Sequence, residues 1–262
     1  MTRLQSQWCR LYAPQATDNQ VGTDTDAPMA LADAQGQVRA MVLELCRPAE
    51  WPPLAVLWQG VQADWGWPAP AIAINGHDGY QLWFSLQTPV GAAQAAMVLH
   101  ALRVRYLPDV APHRLRLMPH AHNASPAAGE QAIRMPGLPV HTEQWSAFVA
   151  QDLAPVFAET PWLDMQPSVE GQAELLSRLR SISDEAFQAA LDACQKDAHT
   201  CAKRNEAAQQ RTDSGASVIR ADDGDDPKRF LLNIMNDTAV ALALRIEAAK
   251  ALLLHDKPRR HD

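Results

Sequence analysis

The sequence predicts an α+β fold built on a ferredoxin-like (RRM-like) βαββαβ core, with irregular extensions and C-terminal helices. Three observations predict it. The hydrophobic period changes along the chain in the order strand, helix, strand, strand, helix, strand. The middle two strands are joined by a short turn with two glycines, which is typical of a hairpin. Of the 262 residues, 47% are hydrophobic, which is enough to form a core.

The six elements of this core follow one another between residues 38 and 118. The first strand is β-branched and aliphatic and stops before Pro48. The first helix has prolines in its first turn, where they are tolerated, and ends at Gly66. The second helix is rich in alanine and ends before Pro108. In order, the predicted elements are Val38–Cys46, Trp51–Trp65, Ala71–Ile74, Tyr80–Leu86, Val90–Tyr106 and Arg114–Met118.

The predicted core belongs to an α+β domain over residues 37–170, and the pattern changes on either side of it. Residues 1–36 are polar and turn-rich after Leu11, which predicts an irregular arm whose Trp8 and Leu11 dock on the domain. After the domain we expect a helical segment (171–211, broken at 181–184), an acidic linker (212–227) and an amphipathic C-terminal helix (228–256).

Composition and charge limit the classes of protein to which the chain can belong. The net charge is −7, so no global basic field attracts nucleic acid, although a local basic groove is compatible with it. No apolar run reaches the roughly 18 to 20 residues that a membrane span needs, so we expect no membrane partner. The first residues lack the apolar core of a signal peptide, and the cysteines form no Cys-x-x-Cys pair. These features predict a cytoplasmic protein.

Alternation along the strands predicts which side chains lie on the sheet face opposite the helices. A carboxylate, two arginines and an exposed tryptophan on that face suit the binding of nucleic acid or a nucleotide. The alternative is a solvated face, or one covered by the C-terminal helices. The residues expected on this face are Glu44, Cys46, Gln81, Trp83, Ser85, Arg114 and Arg116.

Three stretches of the chain resemble the catalytic domain of the archaeo-eukaryotic primase (primase-polymerase) superfamily, and most of all the primase-like proteins of bacterial mobile-element conflict systems. Residues 42–46 (VLELC) stand where that family has an acidic-x-acidic pair. Residues 75–84 (NGHDGYQLWF) resemble its small-residue turn, histidine and apolar-aromatic strand. Residues 117–122 and 129–137 resemble its third segment, in which a turn leads to a carboxylate and a Leu-Pro strand end. The likeness in element order extends over residues 38–179.

The resemblance implies a role for each of these residues. It implies a catalytic site at Glu44, Gln81 and His122, with Glu44 also binding Mg²⁺ or Mn²⁺, the metals that nucleotidyl transfer requires. Strand alternation adds Trp83, Arg114 and Arg116 as residues expected to bind nucleic acid, and we expect Arg134 to line the same groove and bind the nucleotide. The turn implied to bind the nucleotide's triphosphate is Asn75, Gly76, His77, Asp78 and Gly79.

The sequence departs from the family pattern at the positions that carry the chemistry. Cys46 stands where the second carboxylate is expected, and a thiol is a poor ligand for magnesium. Gln81 stands at the histidine, and His122 or Asn123 stands at the third carboxylate. We therefore expect a primase-like protein of mobile-element replication, transfer or defence that binds nucleic acid or a nucleotide and has a degenerate nucleotidyltransferase site, unless it uses different ligands.

Two other functions stay open from the residues alone. One is a non-catalytic ferredoxin-like scaffold that holds a protein partner through its C-terminal helices. The other is an enzyme of unrelated chemistry that uses His77, Asp78 and Glu44, although a glycine-flanked turn favours Asp for backbone reasons alone. A metal site is disfavoured, because the histidines have no acidic or cysteine ligands near them in the sequence. Those histidines are His113, His120, His122 and His141.

Overall fold

The computed structural model describes residues 2–13, 29–120, 132–141, 143–196, 231, 244–246 and 249–250. The chain divides into two compact units, Met1–Ala202 and Lys203–Asp262. In the second unit the described residues are helical, within the range predicted for the C-terminal helix (228–256). The predicted acidic linker (212–227) lies outside the described residues.

The first unit contains both helices and strands, and two short 3₁₀ helices at Pro112–Arg114 and Ala154–Phe157 interrupt its loops. Among the residues described, no helix has the length and apolar character that a membrane-spanning segment requires. The elements are α1 (Arg3–Leu11), β1 (Met29–Ala30), β2 (Gln37–Cys46), α2 (Trp51–Trp65), β3 (Ala71–Ile74), β4 (Gly79–Gly91), α3 (Ala92–Tyr106), β5 (Leu115–Met118), β6 (Ala132–Ile133), β7 (Pro139–His141), β8 (Gln144–Trp145), β9 (Ala147–Val149), α4 (Val169–Ser177) and α5 (184–196).

The central sheet has five antiparallel strands in the order β5-β2-β4-β3-β9. Four of them, with α2 and α3, provide the βαββαβ order that the sequence predicts, and the α+β fold class is confirmed. Strand β9 adds a fifth strand beside β3. The Gln172 side chain bonds to the free backbone edge of this last strand. It accepts from the Phe148 N–H at 2.6 Å and donates to the Phe148 carbonyl at 2.9 Å.

Helices α2 and α3 cover one face of the sheet, as the apolar alternation predicts. Every second residue of β2 and β4 is apolar on this face and is buried. The helices contribute apolar residues at spacings of three and four, which places them on one side of each helix. The buried contacts are formed by Met41, Leu43, Leu45, Tyr80, Leu82, Phe84, Leu54, Leu57, Val61, Val98, Leu99 and Leu102.

The opposite face is not open along its whole width, because α1 and α4 pack on part of it. Trp83 is completely buried there, with its ring 4.9 Å from that of Trp8 and 5.3 Å from that of Tyr12, centroid to centroid. The prediction that Trp83 is exposed for nucleic-acid stacking is therefore wrong. Trp8 and Leu11 do dock on the domain, as predicted.

The segment that covers Trp83 is a helix where the sequence analysis predicts an irregular arm. Helix α1 begins at a capping box, in which the Thr2 hydroxyl accepts from the Gln5 N–H and the Gln5 side chain accepts from the Thr2 N–H. Its apolar residues Leu4, Trp8 and Leu11 recur every three or four positions and are all buried. The short amphipathic run is enough for a helix once it has a sheet to pack against.

The predicted helical segment 171–211 is divided near the predicted break. Helix α4 ends at Ser177, and the backbone of Ile182 then bonds to β4, with its N–H donating to the Ser85 carbonyl at 2.8 Å. Helix α5 follows from 184 to 196, and residues 197–211 lie outside the described part of the chain. The helix is interrupted here because the backbone around Ile182 bonds to the edge of the sheet instead of continuing the helix.

Candidate ligand-binding cleft

Beside the part of the face that α1 covers, the same face of the sheet forms the base of a cleft of about 270 Å³. Glu44 lies in the centre strand β2, and its cross-strand neighbours are Gln81 on β4 and Arg116 on β5. The 75–79 turn closes one end, and the segment after residue 132 forms an apolar wall. The predicted site residues that line the cleft are Glu44, Asn75, His77, Asp78, Gln81, Arg116 and Arg134.

Glu44 is almost fully buried, with a side chain only 5% exposed, and each of its oxygens accepts hydrogen bonds. Its Oε1 accepts from Asn75 Nδ2 at 2.7 Å and from Gln81 Nε2 at 3.4 Å. Its Oε2 accepts from Arg116 Nη1 at 3.3 Å. A buried carboxylate is tolerated when a cation and hydrogen-bond donors compensate for the lost water, as they do here.

The orientation of the Gln81 amide is determined by Trp83, which lies in the core beneath the cleft. The Trp83 indole N–H donates to Gln81 Oε1 at 2.9 Å, which leaves the amide nitrogen facing Glu44. Trp83 in turn packs against Trp8 of α1. Trp83 therefore positions a cleft residue from the core and offers no stacking surface to a ligand.

The backbone N–H groups of the 75–79 turn all donate hydrogen bonds within the protein. Asn75 Oδ1 accepts from the N–H groups of His77, Asp78 and Gly79 at 2.9 to 3.0 Å. The Asn75 N–H donates to the Gly79 carbonyl and the Gly76 N–H to the Pro161 carbonyl. With all five backbone donors engaged, this turn offers a ligand its side chains and not a backbone cradle for phosphate.

Gly76 is required in this turn for two reasons. It has a positive φ of +79°, and a Cβ would lie only 2.6 Å from Val140 Cγ2 and 2.8 Å from the Ser146 nitrogen. The turn therefore packs tightly against the wall of the cleft. Ser146 fixes that wall, because its hydroxyl accepts from the Gly137 and Leu138 N–H groups.

Asp78 forms the second acidic group of the cleft and is already paired. Its Oδ2 accepts from Arg47 Nε at 2.8 Å, and its Oδ1 accepts from Asn75 Nδ2 at 3.2 Å. Burial raises the pKa of Asp78, but the hydrogen bonds from Arg47 and Asn75 and the nearby positive charges outweigh it and hold the pKa below its usual value. Asp78 is thus ionised at neutral pH.

Cys46 lies at the end of β2 and lines the cleft beside Asp78. Burial raises the pKa of its thiol, and the charges of Asp78 and Glu44 raise it further. The group is therefore a neutral thiol at pH 7, donating weakly to the Arg114 carbonyl at 3.6 Å. It does not replace the carboxylate that the family pattern has at this position.

Arg114 is turned away from the cleft, and the prediction that it shares a groove with Arg116 is wrong. Its guanidinium donates to the carbonyls of Cys46 and Pro48 and pairs with Glu50 Oε2 at 3.0 Å. The reason is that Pro112–Arg114 form a 3₁₀ turn and β5 begins only at Leu115, so strand alternation does not extend to this residue.

The third family segment is represented only in part. His122 and Asn123 lie outside the described residues, so the structure does not place the predicted catalytic His122. Arg134 is exposed at the mouth of the cleft and makes no ion pair with any residue that the structure describes. Sequence reasoning missed the apolar wall, for which the sequence holds no local signal, since Met118, Ile133, Pro136 and Val140 meet only through tertiary packing.

The residues around Glu44 do not fit a Mg²⁺ or Mn²⁺ site. Within the described ranges, no group of three or more His, Cys, Asp or Glu side chains is arranged to hold a metal ion. A cation bound at Glu44 would lie beside the positive charge of Arg116, which pairs with Oε2, and Oε1 already accepts from two amides.

Comparisons with known proteins leave the family open. No protein-family model matches the chain, and no curated protein matches it. The primase resemblance therefore remains an expectation drawn from the three motifs.

Proposed function

We propose that this protein is a primase-like protein that binds a nucleotide or a nucleic-acid strand in the cleft around Glu44 and does not transfer nucleotidyl groups. One observation carries the proposal. The predicted site residues come from separate segments of the chain, yet they line a single cleft: Glu44, Asn75, Asp78, Gln81, Arg116 and Arg134. The resemblance implies for such a protein a role in mobile-element replication, transfer or defence.

The charges of the cleft support an anionic ligand. Among the described residues that line the cleft, Glu44 is neutralised by Arg116 and Asp78 by Arg47, which leaves the positive charge of Arg134 in excess. This local excess stands out in a chain whose net charge is −7. A planar guanidinium group can donate two parallel hydrogen bonds to two oxygens of a phosphate.

The chemistry of the donor set supports binding without turnover. Nucleotidyl transfer by two metal ions needs several carboxylates that bridge the ions. Here one carboxylate is held by an arginine, the second position is a neutral thiol, and Gln81 carries no charge. Each departure from the family pattern removes a group that the reaction needs.

The proposal is tested by titrating the full chain into a fluorescent mononucleotide and a labelled single-stranded oligonucleotide at low and high salt. We expect binding of at least one ligand that weakens with salt. Arg134→Ala should lower the affinity of the protein for that ligand by about tenfold, the effect of losing one charged hydrogen bond. Arg178→Ala is the matched control, because this arginine pairs with Glu174 on α4 and should leave affinity unchanged.

Two results would contradict the proposal. Absence of binding to both ligands would exclude it and favour the protein-interaction scaffold. Metal-dependent incorporation of nucleotides by the purified protein would show that the site is not degenerate.

A further inference from the structure

Charge in the cleft is ordered by depth. We call Glu44, Asn75 and Gln81 the floor, and Arg47, Arg116 and Arg134 the rim. The Glu44 side chain is 5% exposed, whereas those of Arg116 and Arg47 are 56% and 76% exposed, and Arg134 is exposed as well. A ligand therefore meets positive charge at the rim and a carboxylate at the floor.

This order determines where a phosphate group is stable. At the floor, a phosphate dianion would face the Glu44 carboxylate in a site with little water, where repulsion between like charges is weakly screened. At the rim it would meet Arg116 and Arg134, which can both donate to it. The phosphate end of a ligand is therefore favoured at the rim.

The floor places a hydrogen-bond acceptor on Glu44 beside a hydrogen-bond donor on Gln81. Glu44 Oε1 already accepts two bonds, but among the described residues Oε2 accepts only from Arg116, so one acceptor position is left there. Gln81 Nε2 donates one N–H to Glu44 and has a second. An acceptor beside a donor complements the edge of a nucleobase, which also presents a donor beside an acceptor.

The apolar wall favours a flat group whose face packs against it and whose edge points to the floor. Met118, Ile133, Pro136 and Val140 line this side of the cleft without charges. Apolar side chains pack against the faces of a base while polar groups contact its edge, which is the usual division of roles in small-molecule sites.

We infer that a nucleotide enters this cleft base first, with the base edge bonded to Glu44 and Gln81 and the phosphate held at the rim by Arg116 and Arg134. The ligand is then a mononucleotide or the unpaired end of a single strand, because the Watson–Crick edge of a base within a duplex is already hydrogen-bonded to its partner base. The inference rests on the proposed nucleotide binding.

The first test uses the unaltered protein. Competition titrations compare a nucleoside 5′-monophosphate, the same compound methylated on the Watson–Crick edge of its base, and ribose 5-phosphate. Base-first binding predicts that edge methylation or removal of the base lowers the affinity by about tenfold or more, since the floor bonds are lost. An edge-methylated nucleotide that binds as well as the parent would overturn the inference.

The second test uses Glu44→Gln, for which the two orientations predict different ratios of mononucleotide to ribose 5-phosphate affinity. The glutamine oxygen stays with Asn75 and Gln81, so an NH₂ group replaces the acceptor at Oε2. Because the substitution also frees the charge of Arg116, the measured quantity is the affinity for the mononucleotide relative to that for ribose 5-phosphate. Base-first binding predicts that this ratio falls by about tenfold, since only the mononucleotide loses a bond to the floor. A ratio equal to that of the unaltered protein would overturn the inference, because a phosphate at the floor would gain equally in both ligands.

The outcomes separate the inference from the proposed function. If the unaltered protein binds no nucleotide, the proposed function fails. If it binds a nucleotide and the substitution leaves the ratio of mononucleotide to ribose 5-phosphate affinity unchanged, only the orientation is wrong. Thermal unfolding of Glu44→Gln controls for folding, and the ligand series does not depend on that variant.

Discussion

Glu44 has the most demanding environment in the cleft, because its charge is buried and every partner comes from another segment. Asn75, Gln81 and Arg116 together provide the donors that compensate for lost water. Strand alternation predicts that Glu44, Gln81 and Arg116 share a face, and the register places them directly opposite one another. What alternation does not predict is that Asn75 reaches the same carboxylate from a turn.

Asp78 should make the stability of the protein depend on pH. Burial raises its pKa, but Arg47 and Asn75 outweigh burial, so the folded-state pKa lies below the unfolded value of about 3.9. The resulting stabilisation is present above the unfolded value and is lost as the pH falls through the folded-state pKa. We expect Asp78→Asn to lower the free energy of unfolding by about 1 to 2 kcal/mol at pH 7 and by less near pH 2 to 3, in urea titrations.

The control for this prediction is Asp152→Asn, an exposed aspartate outside the cleft, which should change the stability little at either pH. A loss for Asp78→Asn that is equal at both pH values would show that the carboxylate charge is not the cause.

Helix α1 is the element that the sequence analysis missed, although its signals are local. A Thr-x-x-Gln capping box and apolar residues at positions 4, 8 and 11 are typical of a short helix. Its packing on the sheet decides two further features. It buries Trp83, and through the Trp83 indole it helps to orient Gln81 in the cleft.

Replacing Trp8 with alanine should therefore destabilise the whole first unit. Trp8 is 5% exposed and contacts the rings of Tyr12, Trp83 and Phe148. We expect Trp8→Ala to lower the free energy of unfolding by about 3 to 5 kcal/mol, the usual cost of emptying a large aromatic site. Urea denaturation measures it, with Ser6→Ala on the exposed side of α1 as the control, and equal stability of both variants would contradict the packing of α1.

Strand lengths also depend on partners that local pattern does not reveal. The sequence pattern predicts that a helix begins at Val90, but β4 continues to Gly91 because β2 begins at Gln37 and pairs with it. Strand β9 joins the sheet because β3 has a free side and Gln172 occupies the other edge of β9. At Val90 the backbone pairing with a distant segment overrides local preference, and at β9 such pairing places a short strand in the central sheet.

The first compact unit, Met1–Ala202, contains the sheet, both of its covered faces and the cleft. We expect a chain that ends at Ala202 to unfold in one cooperative transition, with the same urea midpoint as the full chain and the same nucleotide affinity. A chain that ends at Pro167 is the control. It lacks α4, and with it Gln172, Ala173 and Leu176, so its cooperative transition should be lost. Aggregation of the chain that ends at Ala202 would show that residues 203–262 are needed for folding.

The sequence by itself determined the βαββαβ order, the apolar face under α2 and α3, and most of the polar residues that meet in the cleft. These follow from hydrophobic period and strand alternation, which are properties of neighbouring residues. Only the tertiary structure decided that α1 and α4 cover Trp83, that Arg114 turns away, and that Arg116 pairs with the buried Glu44. These outcomes depend on side chains far apart in the sequence, whose contacts are determined by packing and burial and not by local periodicity.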